Sequence, residues 1–176
     1  NAAEASSFYS YGWETQLLET AFLAIFLCSP TDRKAPPTSV VLWLFRWLAF
    51  RISIGAGLIK MRGGSCWEQK TCLWYHFETQ PVPSPLSFIF HFLPRAVLAR
   101  GVDVDLFVQL YTPWLVLVPI KRVRRVAGVV QVAFMVNIAV SGNFSVLNHL
   151  TIVPALACLD DGAWPRRVRR APPKHK

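Results

Sequence analysis

The sequence predicts an all-α fold, a polytopic integral membrane helical bundle of about five spans. A cysteine-containing loop and an interfacial helix complete it. Three observations lead there. Hydrophobic residues make up 53% of the 176-residue chain and charged residues only 16%, against about 25% charged in soluble domains. The apolar residues fall in runs that approach or reach the ~17–25 residues needed to cross a bilayer. The formal charge of +9 is gathered in short clusters between those runs, the pattern of a multi-spanning protein. A soluble helical domain with a very apolar core is the competing class, and runs of this length argue against it.

The first run, residues 13–28, carries Glu14, Gln16 and Glu19 on its early turns, where acids suit the positive end of a helix. Ser29-Pro30 ends it, and a polar link with Asp32, Arg33, Lys34 and Pro36-Pro37 follows. The second run, residues 40–59, reaches about 30 Å at ~1.5 Å per residue, the thickness of the hydrocarbon core. It carries Arg46 and Arg51, which are costly in lipid unless paired or snorkelling. Gly55, Ala56 and Gly57 would let a neighbouring helix come close.

Residues 60–103 form a long connection. Its second half, Ser84–Leu98, is expected to be helical, with Ser84 as cap and Pro85 in the first turn. It is too short to span and too apolar to be solvated, so it reads as interfacial or re-entrant. Residues 104–120 are the third span, kinked at Pro113. Lys121–Arg125 read as a basic stop before the fourth and fifth spans, 126–140 and 146–159, which Ser141-Gly142-Asn143 separates. Residues 1–161 then make one membrane domain. Residues 162–176 make a basic, Pro-containing tail, expected to be disordered. The chain begins at Asn1 and shows no signal peptide in Asn1–Gly12; it reads as part of a longer protein.

Charge orients the five spans. Arg33, Lys34, Lys121–Arg125 and the tail from Arg166 fall on one side and hold most of the basic residues. The positive-inside rule places that side in the cytosol and the 60–103 connection in a lumen or outside, where disulfides persist. In this topology Glu19 and Arg51 both lie about 10–12 Å below the lumenal surface on antiparallel helices. They are expected to form an intramembrane ion pair.

The connection holds the densest mix of Cys, His, acid, aromatic and Pro. Cys66 and Cys72 read as a small disulfide loop, as two free thiols, or with His76 as a metal site, although the spacing is no zinc signature. Thiol–disulfide exchange at this pair would lack the usual Cys-x-x-Cys spacing. His76 and Glu78, two apart in an extended segment, would point to one side as a general base and its orienting acid. Cys28 and Cys158 read as small buried hydrophobes. Asn143-Phe144-Ser145 matches the glycosylation sequon but sits in a tight turn against the membrane. The basic tail has no interleaved aromatics, which disfavours nucleic acid and leaves a solvated or lipid-facing tail. No cofactor or metal is expected.

The segments SFYSYGWETQLLET, FRISIGAGLIKMRGGSCWEQKTC, HFETQPVPSP and VSGNFSVLNHLTIVPALACLDD resemble the lipase maturation factor family from about Ser6 to Asp161. The resemblance is loose over Phe92–Val108 and absent after Asp161. It implies a multi-pass protein of the endoplasmic reticulum membrane, not an enzyme, that assists folding and assembly of secreted dimeric lipases such as lipoprotein lipase. It implies as partners those lipases, other folding factors and the lipid bilayer. Trp67, Trp74, Tyr75, His76, Glu78 and Pro81 would then shape a client- or partner-facing surface.

Overall fold

The computed structural model describes residues 12–28 and 35–159. Among them the chain forms nine helices: α1 Gly12–Ile25, α2 Ser39–Arg62, α3 Ser65–Glu68, α4 Leu73–His76, α5 Ser87–His91, α6 Arg95–Leu110, α7 Thr112–Val116, α8 Lys121–Ser141 and α9 Val146–Leu156. The one β feature among the described residues is an isolated antiparallel bridge between Pro83 and Asn143.

Local chemistry sets the main boundaries. Thr38 is extended and accepts a hydrogen bond from the Val41 amide, 3.4 Å, which caps α2. Lys60 and Arg62 occupy the last turn of α2, where cations suit the negative end of the helix. Ser145 caps α9 by accepting from Leu147 N, 3.2 Å. By length and composition, α2 and α8 are long and apolar enough to cross a membrane, and α9 is a shorter apolar helix.

α8 lies along α9 and α7. The α2 helix contacts α6, α7 and α9, and α1 rests on α9 and α2. A core of Val108, Phe134 and Met135 joins α6 to α8, and a second cluster of Val116, Ala127 and Cys158 lies where α7, α8 and the end of α9 meet. A Cβ on Gly128 would stand 2.6 Å from the Cys158 Cβ, so α8 and the α9 terminus approach through that glycine. Gly57 does the same for α2 and α6, where a Cβ would lie 2.7 Å from Leu110. Gly55 faces open space, so the expected small-residue contact narrows to Gly57.

The interior is partly polar and the outside apolar. Gln16, Ser53, Thr112, Gln131, Asn148 and Thr151 are buried, whereas Leu18, Phe22, Val40, Ile59 and Val126 are exposed. Gln131 joins three helices. Its amide nitrogen donates to Thr112 Oγ1 (2.7 Å) and to the Val108 carbonyl (3.2 Å), and its amide oxygen accepts from Ser53 Oγ (3.0 Å). Gln16 Nε2 donates to Thr151 Oγ1, 3.0 Å, tying α1 to α9. Polar bonds between helices with a greasy exterior are the arrangement expected in lipid.

Several element limits differ from expectation. The α1 helix stops at Ile25 and α9 at Leu156, short of residues 28 and 159, while α2 runs 39–62 instead of 40–59. The helix expected over Ser84–Leu98 is broken. Leu86 precedes the five-residue α5, and Pro94 is extended and starts α6, because a residue before proline is disfavoured in the α region. The helix expected from 104 starts at Arg95. Its early charges are matched: Asp103 takes Lys70 at 2.7 Å and Arg100 at 3.7 Å. At Pro113 the chain begins the short helix α7 rather than kinking one long span, since proline fits a helix start. The basic run 121–125 is the first turns of α8, not a stop before it. The tail 162–176 and Arg33/Lys34 lie outside the described residues.

Candidate functional site

The 60–103 connection folds back on the end of the bundle through a series of specific contacts. Cys66 and Cys72 are joined by a disulfide across a sequence separation of 6. Between them Lys70 takes a left-handed conformation, φ 59°, which turns the chain so that Thr71 N and Cys72 N both donate to the Cys66 carbonyl (2.8 and 3.2 Å). The disulfide therefore ties α3 to the start of α4.

Charge and aromatic contacts clip this unit to its neighbours. Lys60 Nζ lies 2.5 Å from Asp105 Oδ2 and 4.6 Å from the centre of the Trp67 ring, a cation–π contact. Lys70 bonds Asp103 on α6. Arg95 lies over Trp74 at 4.6 Å. Phe77 is buried against Phe90, ring centres 6.0 Å apart. Past α4, Ser84 N donates to Gly142 O and Phe144 N to Val82 O, each 2.8 Å. The Pro-rich end of the connection is thereby paired with the α8–α9 turn.

His76 and Glu78 do not meet as the extended geometry predicts, because residues 73–76 form a helical turn. His76 Nδ1 faces Gln80 Nε2 at 3.1 Å, and its Nε2 would stand 3.3 Å from a Cβ on Gly142. Burial pushes the His76 pKa below the usual imidazole value. The Lys60 charge adds to this and Asp105 opposes it. Glu78 instead accepts from His91 Nε2, 2.7 Å. Among the described residues, no group of three or more His, Cys, Asp and Glu could hold a metal ion.

Trp74, Tyr75, Glu78, His91, Phe92 and Arg95 line a groove of about 400 Å³ between α4 and the start of α6. Trp74 Nε1 and His91 Nδ1 are buried with no hydrogen-bond partner among the described residues. Tyr75, Glu78 and Pro81 are exposed, and Trp67 is half-buried beneath Lys60. The sequence reading missed His91, Phe92 and Arg95. Their role depends on α5 folding back against α4, which no local pattern announces. Arg51 on α2 pairs with Glu19 on α1 away from this site. Asn143 sits in the bridge with Pro83, and its carbonyl accepts from Asn148 Nδ2 at 2.6 Å.

The model of the lipase maturation factor transmembrane domain matches residues 3–166. The chain belongs to the lipase maturation factor family. Lipase maturation factor 1 of Mus musculus is 48% identical over 160 residues, covering 88% of this chain and 28% of the mouse protein. The Homo sapiens lipase maturation factor 1 is 46% identical over 158 residues, covering 87% and 28%. Lipase maturation factor 2 of Xenopus laevis is 36% identical over 162 residues, covering 88% and 23%. The chain thus spans only about a quarter of the length of these lipase maturation factors. No solved structure matches it significantly. The family match makes this a membrane domain, in keeping with the two helices of spanning length.

Proposed function

We propose that this domain is the membrane part of a non-enzymatic factor in the endoplasmic reticulum that assists folding and assembly of secreted dimeric lipases such as lipoprotein lipase. The observation that carries this reading is the family match over residues 3–166. In the proposed topology the apolar helices cross the bilayer about five times and the 60–103 connection faces the lumen. The disulfide between Cys66 and Cys72 suits an oxidising compartment. Trp67, Trp74, Tyr75, His76, Glu78 and Pro81 present the client or partner surface. The groove at Trp74 and His91, with its two unpartnered buried ring nitrogens, is the part of that surface best suited to receive a peptide.

The test is secreted lipase activity in cells lacking the endogenous factor, supplied with the protein that carries this domain. Rescue by the wild type, with loss of rescue by Trp74→Ala at equal membrane abundance, is the expected result. Failure of the wild type to rescue, at normal abundance, overturns the proposed function. Equal rescue by Trp74→Ala removes the groove from the client surface. The topology has its own check: after reduction, Cys66 should resist a cytosolic, membrane-impermeant thiol reagent.

A further inference from the structure

A second cavity, of about 330 Å³, lies behind the connection, among α4, α5, α6 and α8. Its walls are mostly apolar, with Phe77, Phe90, Val104, Phe134 and Ile138 contributing. Val104 and Asn137 line it and are also exposed, so its mouth lies between α6 and α8. The surface next to that mouth carries Phe107, Val136 and Val140, all exposed. On a membrane domain such a surface faces lipid, so the cavity is entered from the acyl region of the bilayer.

The cavity is not apolar throughout. Ser141 is 93% buried at its wall. Asn137, one turn before it on α8, brings an exposed side-chain amide to the same wall. Both side chains can donate to an acceptor inside the cavity. Arg100 also lines it, and its side chain is 85% exposed. Its nearest acid, Asp103, is 3.7 Å away and already bonded to Lys70 at 2.7 Å. Asp105 reaches the cavity too, but Lys60 matches its charge. The lining therefore presents two neutral donors and one loosely held cation, which fits a carboxylate. The volume lies at the small end of ligand sites, about 300–1,000 Å³, and suits one acyl chain rather than a two-chain lipid.

We propose that this cavity binds one long-chain fatty acid, its chain among the apolar walls and its carboxylate on Asn137, Ser141 and Arg100. The proposal depends on the membrane placement of the helices and is independent of lipase maturation.

The test uses the chain in phosphatidylcholine nanodiscs with a photoactivatable, alkyne-tagged palmitic acid. Labelling should concentrate on peptides from residues 95–105 and 134–141. Unlabelled palmitate should compete, and methyl palmitate should not. Val104→Trp fills the cavity from its open side and should abolish the competed labelling. Arg100→Gln alters an exposed side chain and should weaken palmitate competition about tenfold, the cost of one charge-assisted contact. Helicity and the Cys66–Cys72 bridge report that each variant is folded. Even labelling of all outward helix faces, or unchanged labelling of folded Val104→Trp, overturns the site. Displacement by methyl palmitate as readily as by palmitate overturns the carboxylate assignment. Labelling that excess palmitate cannot displace shows only non-saturable partitioning of the probe, and absence of labelling shows a cavity closed to the acid; either also overturns it.

Discussion

The α8–α9 hairpin and the 60–103 connection adjoin, yet they are held by different means. The hairpin is joined by a glycine contact at Gly128 and Cys158, and α8 is tied to α2, α6 and α7 through the Gln131 amide. The connection is held by a disulfide, two ion pairs to lysine, the His91–Glu78 hydrogen bond and two cation–π contacts. The difference follows from solvent. Lipid tails are as apolar as leucine, so close backbone approach and polar bonds hold helices there. A connection at the boundary has too little core of its own to bury, and a covalent bridge with charge pairs fixes it instead.

The comparison breaks most easily at Gly128. Gly128→Val should push α8 from α9 and cost about 3 kcal/mol, read as a lower unfolding midpoint in detergent, with both helices loosened together. Cys66→Ser with Cys72→Ser should cost about 2 kcal/mol, confined to the connection. Hydrogen exchange of residues 60–103 should rise while the hairpin keeps its protection; a matching loss in α8 would erase the distinction between the two regions.

Smaller effects sharpen it. Gln131→Leu should cost about 1 kcal/mol, the scale of polar bonds between membrane helices, by leaving Ser53 Oγ without its acceptor. A double-mutant cycle of Glu19→Gln and Arg51→Gln should give a coupling of about 0.5 kcal/mol, since both side chains are more than a third exposed. An additive cycle would show no pairing energy. His76 should give the connection a pH dependence. Its folded pKa is lowered, so the unfolded state takes up a proton first. Stability is full above about pH 6.5 and falls as the pH drops below that value. His76→Gln should flatten this profile, as measured by proteolysis of the connection across pH.

The helical class was legible because long apolar runs with few charges have few other solutions. Depth along the helices, at ~1.5 Å per residue, brought Glu19 and Arg51 to one level, and the structure has them paired. Limits were harder wherever charges had tertiary partners. Arg100 and Asp103 looked like the outside of a span, yet they lie within α6 because each other and Lys70 match them. The site was legible as a region and not as an arrangement. His76 and Glu78 are two apart, but they turn to Gln80 and His91. The latter partner is supplied by a segment whose fold-back has no local signature. The same holds for Lys60 and Asp105, and for the Pro83–Asn143 bridge.

That bridge imposes an order on biogenesis. The Cys66–Cys72 link closes a short loop and can form as soon as its residues leave the ribosome. The pairing of Pro83 with Asn143 must wait until all of α8 has been made. The connection is therefore synthesised early, stapled locally, and latched only when the α8–α9 turn arrives. An oligosaccharide on Asn143 would have to be attached within that interval, before the latch covers the sequon.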